Sequence, residues 1–154
     1  MSVTRRVDLA DFAAEIGAFS QITLAQQKRA VVNAMAKAIP RLVAASPVDT
    51  GLYAQSWAFE ADDTQAILGN YAPQAAVIEY GARPHPMPIA PLLAWAKRKL
   101  RDPSQPPDYS PQVWRLARGV QAKIAEHGQK PLHILENELP NILADIRAEL
   151  ARIA

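Results

Sequence analysis

Apolar side chains recur every three or four residues over the first 45 positions, the spacing that places them on one face of a helix. Asp8 or Asp11 can cap a first helix, and a second helix is predicted from about Thr23 to Ala45. Pro40 lies inside the second pattern, where it removes a backbone donor and should kink or end the helix. Residues 8–45 therefore favour two helices. Their apolar faces consist of Leu9, Phe12, Ile16 and Phe19, and of Leu24, Val31, Met35, Ile39 and Leu42.

A compact turn follows, with the sequence Pro47-Val48-Asp49-Thr50-Gly51. Pro47 disfavours helix at the residue before it. Asp49 can accept a hydrogen bond from a backbone N–H two residues on, and Gly51 can take a positive φ. We therefore predict that Pro47, Asp49 and Gly51 form a structural turn that reverses the chain.

The hydrophobic period changes from helical to alternating after this turn. Over residues 52–60, the side chains Tyr53, Gln55, Trp57 and Phe59 share one face, the pattern of a strand with its aromatics towards a core. Asp62-Asp63 indicates a turn, and residues 65–69 a second strand. The sequence thus predicts an antiparallel hairpin over residues 52–69.

The segment after the hairpin combines a short helix with an extended arm. Residues 75–80 could form a strand or a short helix, and the helix is favoured because Pro73 suits a first helical position and Gly81 a position just beyond a helix end. Pro84, Pro86 and Pro88 then force an extended arm over residues 83–88, since proline cannot continue a helix or a central strand.

Residues 89–153 return to helical spacing, interrupted by a proline-rich connector over 102–110. The last helix has a seam-like apolar stripe, and we expect it to pack on the stripe of the helix before it. Together these elements predict one α+β domain over residues 1–154, with a small antiparallel sheet packed with helices. The two stripes are Leu135, Leu139, Ile142 and Ile146, and Val113, Leu116 and Val120.

Candidate chemistry is sparse along the chain. There is no cysteine, and none of the three histidines belongs to a metal-binding pair of the HxH or HExxH kind. Asp49, Glu79 and His85 are a conceivable metal site, but a turn carboxylate, a surface acid and an exposed loop histidine explain them better. We therefore expect no catalytic residue, no metal and no cofactor. No apolar run is long enough for a bilayer, so we also expect no membrane partner.

Charge is unevenly distributed although the net charge is only +2. Residues 83–130 contain nine Lys and Arg against three Asp and Glu, whereas the segments on both sides are net acidic. A solvated helix surface is the simpler explanation, and contact with nucleic acid or an acidic protein is the alternative. The candidate basic surface consists of Lys97, Arg98, Lys99, Arg115 and Arg118.

The order of these motifs resembles the tail-completion (neck) proteins of tailed phages, a head–tail joining group that includes minor tail protein Z-like sequences. In that family a helical part leads into a Pro-Val-Asp-Thr-Gly turn, a hairpin ending near Asn and Tyr-Ala, a Glu-Tyr-Gly step, a proline-rich loop and a Gly-x-Lys-Pro loop. This chain has them at Pro47 to Gly51, Gly69-Asn70-Tyr71-Ala72, Glu79-Tyr80-Gly81, Arg83-Pro84-His85 and Gly128-Gln129-Lys130-Pro131. Where many relatives have an aromatic and a further proline or arginine after Lys-Pro, this chain has Leu132-His133-Ile134-Leu135.

The resemblance implies a structural, non-enzymatic virion protein of the neck and tail junction, assembled in the host cytoplasm. Its partners would be copies of itself in a ring (a hexamer by preference), neighbouring neck proteins, the tail tube protein, and genomic DNA passing through the channel without sequence recognition. We place the candidate subunit interface at Glu79, Arg83, Pro84, His85 and Pro86. The alternatives are a stand-alone nucleic-acid-binding protein that uses residues 97–130, and a small hydrolase or nuclease.

Overall fold

The computed structural model describes residues 3–8 and 23–153. The protein is α+β, as the sequence predicts. None of the helices in the described residues is long and apolar enough to cross a membrane. The elements in chain order are β1 (Val3–Asp8), α1 (Leu24–Ala45), α2 (Leu52–Gln55), β2 (Trp57–Ala61), β3 (Gln65–Asn70), α3 (Ala75–Tyr80), α4 (Ile89–Leu100), α5 (Pro111–His127) and α6 (Ile134–Ala151).

The chain divides into two compact units, although the sequence analysis treated residues 1–154 as one domain. Unit 1 consists of residues 1–79 and 133–154, and unit 2 of residues 80–132. Unit 2 is therefore an insertion: the chain leaves unit 1 after Glu79 and returns to it at His133. Each unit has an apolar core of its own.

Helices α1 and α6 form the main packing contact of unit 1. Thr23 caps α1 with a reciprocal capping box to Gln26. Pro40 does not end the helix, which continues to Ala45 because Ala38 and Leu42, on either side of the proline, are buried in the core. The alternative that Pro40 ends the helix is therefore wrong, and the alternative that it kinks the helix stays a prediction.

The last helix packs on α1, not on the helix before it. Leu135, Ile142 and Ile146 belong to the core of unit 1, whereas Val113 belongs to the separate core of unit 2. The predicted pairing of these two stripes is therefore wrong. An apolar stripe shows that a helix has a buried face, but it does not identify the partner.

Ion pairs line the α1–α6 contact. Arg41 donates to Glu138 and to Asp145, and these two carboxylates raise the pKa of the guanidinium. Lys37 donates to Glu149, and this hydrogen bond is the main reason why the pKa of Glu149 is lowered. The pairs fix the register of two helices whose apolar faces alone would tolerate sliding.

The sheet has three antiparallel strands in the order β1-β3-β2. The second strand of the hairpin is confirmed, with Asp62 forming the turn by accepting from the backbone N–H groups of Thr64 and Gln65. These bonds hold the pKa of Asp62 well below its usual range. Strand β1 was not predicted, and it contains Asp8, which was a candidate cap. The predicted helix with Leu9, Phe12, Ile16 and Phe19 lies outside the described residues.

The first strand of the hairpin begins later than the sequence predicts. Residues 52–55 form the single helical turn α2, and strand β2 begins only at Trp57. The helical turn starts from Gly51 in the left-handed region, and the hydroxyl of Ser56 closes it by donating to the carbonyl of Leu52 at 2.7 Å. Tyr53 and Trp57 are four residues apart and meet edge to face, with ring centroids 5.7 Å apart.

Unit 2 is a pair of helices with a proline-rich connector. Helices α4 and α5 bury Leu92, Leu93 and Ala96 against Val113 and Ala117. Ser110 caps α5, and its hydroxyl donates to Asp102 at 2.6 Å, which ties the connector to the start of the helix. The hydrogen bonds from Ser104 and Ser110 lower the pKa of Asp102.

Candidate functional site

The turn at residues 46–51 is held by hydrogen bonds on its helical side. Gly51 has φ +82°, which confirms the predicted positive φ. Ser46 is buried, and its hydroxyl accepts from the indole N–H of Trp57 at 2.8 Å. The side chains of Pro47 and Asp49 are exposed. This turn therefore connects α1 to the sheet through Ser46 and Trp57.

Asn70 joins the end of β3 to the helical turn α2. It is 0% exposed, its amide nitrogen donates to the carbonyl of Tyr53 at 2.8 Å, and its side-chain oxygen accepts from the N–H of Ala72 at 3.0 Å. A buried asparagine with donor and acceptor both used is a fixed structural connection. The Gly-Asn-Tyr-Ala motif thus has a local explanation within the fold.

Glu79 is buried, contrary to its assignment as a candidate interface residue. It is 1% exposed, so it cannot contact a neighbouring subunit. Its carboxylate accepts from the backbone N–H of Leu135 at 3.0 Å and from that of Glu136 at 3.1 Å, in the first turn of α6. The acid therefore caps a helix N-terminus, where unpaired N–H groups and the helix dipole both favour a negative charge.

The start of α6 has no cap of its own. Helix α6 begins after His133, a residue with φ +50° that makes no side-chain capping bond. A buried helix start without its own cap requires an acceptor from elsewhere in the chain. The charge of Glu79 also acts on Tyr53, whose pKa is raised to about 12, mainly by burial and secondarily by that charge.

Gly81 and Gly128 form a tight backbone crossing inside unit 2. Ala82 and Gln129 exchange two backbone hydrogen bonds, at 2.9 and 2.8 Å. A Cβ at Gly81 would lie 2.4 Å from the carbonyl oxygen of Gln129, and one at Gly128 would lie 2.1 Å from that of Ala82. Both glycines have positive φ. The Glu-Tyr-Gly and Gly-Gln-Lys-Pro motifs therefore meet at this crossing. Each needs its glycine because the other chain segment leaves no room for a side chain there.

The proline arm is anchored at its two ends and exposed between them. The Ala82–Gln129 pair fixes its start, and the side chain of Gln121 donates to the carbonyl of Met87 at 2.6 Å near its end. Nδ1 of His85 lies 2.8 Å from the carbonyl oxygen of Arg83. The exposed side chains between the anchors are Arg83, Pro84, His85 and Pro86.

The candidate basic residues occupy two elements of unit 2. Lys97, Arg98 and Lys99 form the last turn of α4, where positive charge is favoured by the helix dipole. On α5, the guanidinium of Arg118 lies 5.2 Å from the centre of the Trp114 ring. Arg115 faces a different surface depression from Arg118. The five residues thus lie on α4 and α5 of unit 2.

Among the described residues, no group of three His, Asp or Glu side chains is placed to hold a metal ion. Asp49 and His85 are exposed and Glu79 is buried, so the conceivable metal site is not assembled. Oε2 of Glu136 lies 2.8 Å from Nδ1 of His133, a contact within the first turn of α6. Among the described residues of unit 1, Glu79 serves as a helix cap, and Glu138, Asp145 and Glu149 form ion pairs.

Comparisons with protein-family models, curated proteins and solved structures gave no match to this chain. The resemblance to tail-completion proteins therefore rests on the order of the sequence motifs alone.

Proposed function

We propose that this chain is a structural subunit of a phage neck, which completes the tail and joins it to the head as part of a ring. The observation that supports the proposal is the role of the motif residues. Gly51 begins a helical turn, Asn70 and Glu79 are buried hydrogen-bond acceptors, and Gly81 allows a close backbone crossing. Residues in these roles maintain a shape and do not perform a reaction, which suits an assembly subunit.

The segregated charge also suits an assembly in which DNA passes through a channel. Unit 2 contains nine basic and three acidic residues, so its net charge is +6, and the rest of the chain has a net charge of −4. A basic unit attracts phosphates without reading their sequence. The same feature favours the alternative, a stand-alone nucleic-acid-binding protein.

The purified chain tests the proposal by light scattering after size-exclusion chromatography and by electron microscopy. We expect closed rings. A monomer that binds free DNA tightly, with an affinity that falls steeply as salt rises, would instead support the alternative.

The proline arm provides a variant for the same measurement. Replacing residues 83–86 with Gly and Ser leaves the anchors at Ala82 and Met87 in place. We expect this variant to fold and to lose ring formation, because a pre-ordered proline segment docks at a lower entropic cost than a flexible one. Unchanged rings would show that the arm is only a connector.

A further inference from the structure

Unit 2 has an apolar groove on one side of α5, with a volume of about 440 Å³. Its floor includes Leu100, whose side chain is 45% exposed although its neighbours Leu92 and Leu93 are buried in the core. Two cations are among its lining residues. The groove is lined by Leu100, Leu116, Gly119 and Val120, together with Gln112, Arg115 and Lys123.

Gly119 is a residue that the fold of unit 2 does not require. It lies inside the 17-residue helix α5, where glycine is unfavourable relative to alanine. A Cβ added there would meet nothing within 4 Å, in contrast to Gly81 and Gly128. Glycine at such a position lowers the groove floor and lets another backbone approach closely.

The charge of the groove lining selects the kind of occupant. Arg115 and Lys123 favour a segment that presents carboxylates beside apolar side chains. Residues 9–22 have this composition: they contain Asp11 and Glu15, no Lys or Arg, and apolar side chains at helical spacing. They follow β1 and precede α1 in unit 1, and we call them the acidic segment.

We propose that the apolar groove binds the acidic segment of a second copy of this chain. Phe12 and Ile16 would occupy the apolar floor over Gly119, and Asp11 and Glu15 would face the two cations of the lining. The groove and the acidic segment are different parts of the chain, so each copy offers one of each and association continues from copy to copy. The inference concerns self-association and does not depend on a role in the phage neck.

A peptide titration tests the recognition directly. The receptor is the full chain with Phe12→Asp and Ile16→Asp, so that its own segment cannot compete, and the probe is a labelled peptide with the natural sequence of residues 8–22. We expect saturable binding that Gly119→Leu weakens at least about tenfold, because leucine fills the groove. Ala144→Leu adds the same side chain at an exposed position of α6 and should leave the affinity unchanged. Absence of binding, or equal affinity in the Gly119→Leu receptor, overturns the proposal.

Charge reversal tests the orientation of the pair. In the receptor, Arg115→Glu with Lys123→Glu should weaken binding of the natural peptide, and a peptide with Asp11→Lys and Glu15→Lys should restore it. The proposed contact is contradicted if the charge-reversed receptor binds the charge-reversed peptide no more tightly than it binds the natural peptide.

Sedimentation velocity then tests association between copies. Full chains with Gly119→Leu and full chains with Phe12→Asp and Ile16→Asp should each sediment as monomers, and their mixture as a heterodimer through the one intact groove and the one intact segment. A mixture that stays monomeric overturns the inference. If the parent chain forms rings and the Gly119→Leu variant still forms them, the groove inference is overturned and the neck proposal is intact. If the parent chain forms filaments in place of rings, the result counts against the neck proposal alone.

Discussion

Removing the carboxylate of Glu79 should destabilise unit 1 more than any other change of a charged residue in it. The side chain is 1% exposed and accepts from two backbone N–H groups at the start of α6. Glu79→Ala leaves both donors without this acceptor, the N–H of Leu135 in a buried site and the N–H of Glu136 in a partly buried one. Each buried unpaired donor costs roughly 1–3 kcal/mol, so we expect a loss of about 4 kcal/mol in the free energy of unfolding.

The isosteric change Glu79→Gln separates charge from shape. The amide oxygen still accepts one N–H, but the negative charge at the helix N-terminus is lost and the amide NH₂ has to be buried. We expect a smaller loss, about 1–2 kcal/mol. The matched control is Glu136→Gln, which makes the same substitution at an exposed position of the same helix and should remain within about 0.5 kcal/mol of the parent.

The assay uses urea unfolding followed by the fluorescence of Trp57. The chain has three tryptophans, so replacing Trp95 and Trp114 with phenylalanine leaves Trp57, whose fluorescence then reports the unfolding of unit 1 alone. Amide hydrogen exchange adds a local readout, because only the N–H groups of Leu135 and Glu136 should lose protection selectively in Glu79→Gln. A Glu79→Ala variant within about 1 kcal/mol of the parent, with both amides still protected, would refute the capping role.

Further changes address the turn, the backbone crossing, the core and the pH response. Gly51→Val should lower the stability of unit 1 by about 1–3 kcal/mol in the same assay, since a β-branched residue fits the left-handed region poorly; an unchanged melting temperature would contradict this. Gly81→Ala should lower the melting temperature of unit 2, because its Cβ meets a carbonyl oxygen at 2.4 Å, and normal stability would show that the crossing relaxes freely. Ile146→Ala, at a fully buried site, should cost roughly 2–5 kcal/mol in urea unfolding, and a near-neutral effect would place it outside the core. The raised pKa of Tyr53 contributes stability that is fully present below the unfolded value of 10.0 and is lost as pH rises towards 12, so Tyr53→Phe should flatten the stability profile measured between these values. An equally steep profile in that variant would assign the alkaline loss to another group.

Local patterns in the sequence were sufficient for α1, α3, α4, α5 and α6 and for strand β3. The helical spacing of α1, α4, α5 and α6 predicts their positions because each buries one continuous face. The positive φ of Gly51 was predictable for the same local reason, since few other residues adopt it without strain. Residues 52–55 were misassigned because four residues are too few to separate alternation from one helical turn.

The features that the sequence does not predict depend on contacts between residues far apart in the chain. Strand β1 pairs with a strand much later in the chain, from Val3 with Asn70 to Asp8 with Gln65, so its place in the sheet depends on a distant partner. The cap provided by Glu79 joins residues 56 positions apart, so no local pattern marks it as buried. The choice of α1 as the partner of α6 likewise depends on ion pairs and shape that one helix cannot reveal.

The insertion of unit 2 into unit 1 has a consequence for the order of folding. In the folded chain the N–H of His133 donates to the carbonyl of Glu79 at 3.2 Å. As long as unit 2 is unfolded, its 53 residues, 80–132, form a long loop that has to close before these two residues meet. The Ala82–Gln129 pair brings the ends of unit 2 together as soon as that unit folds. The loop then shrinks to a few residues, which lowers the closure entropy cost by roughly 2 kcal/mol. A chain built in this way gains by folding unit 2 first, because the two parts of unit 1 on either side of it are then already close together.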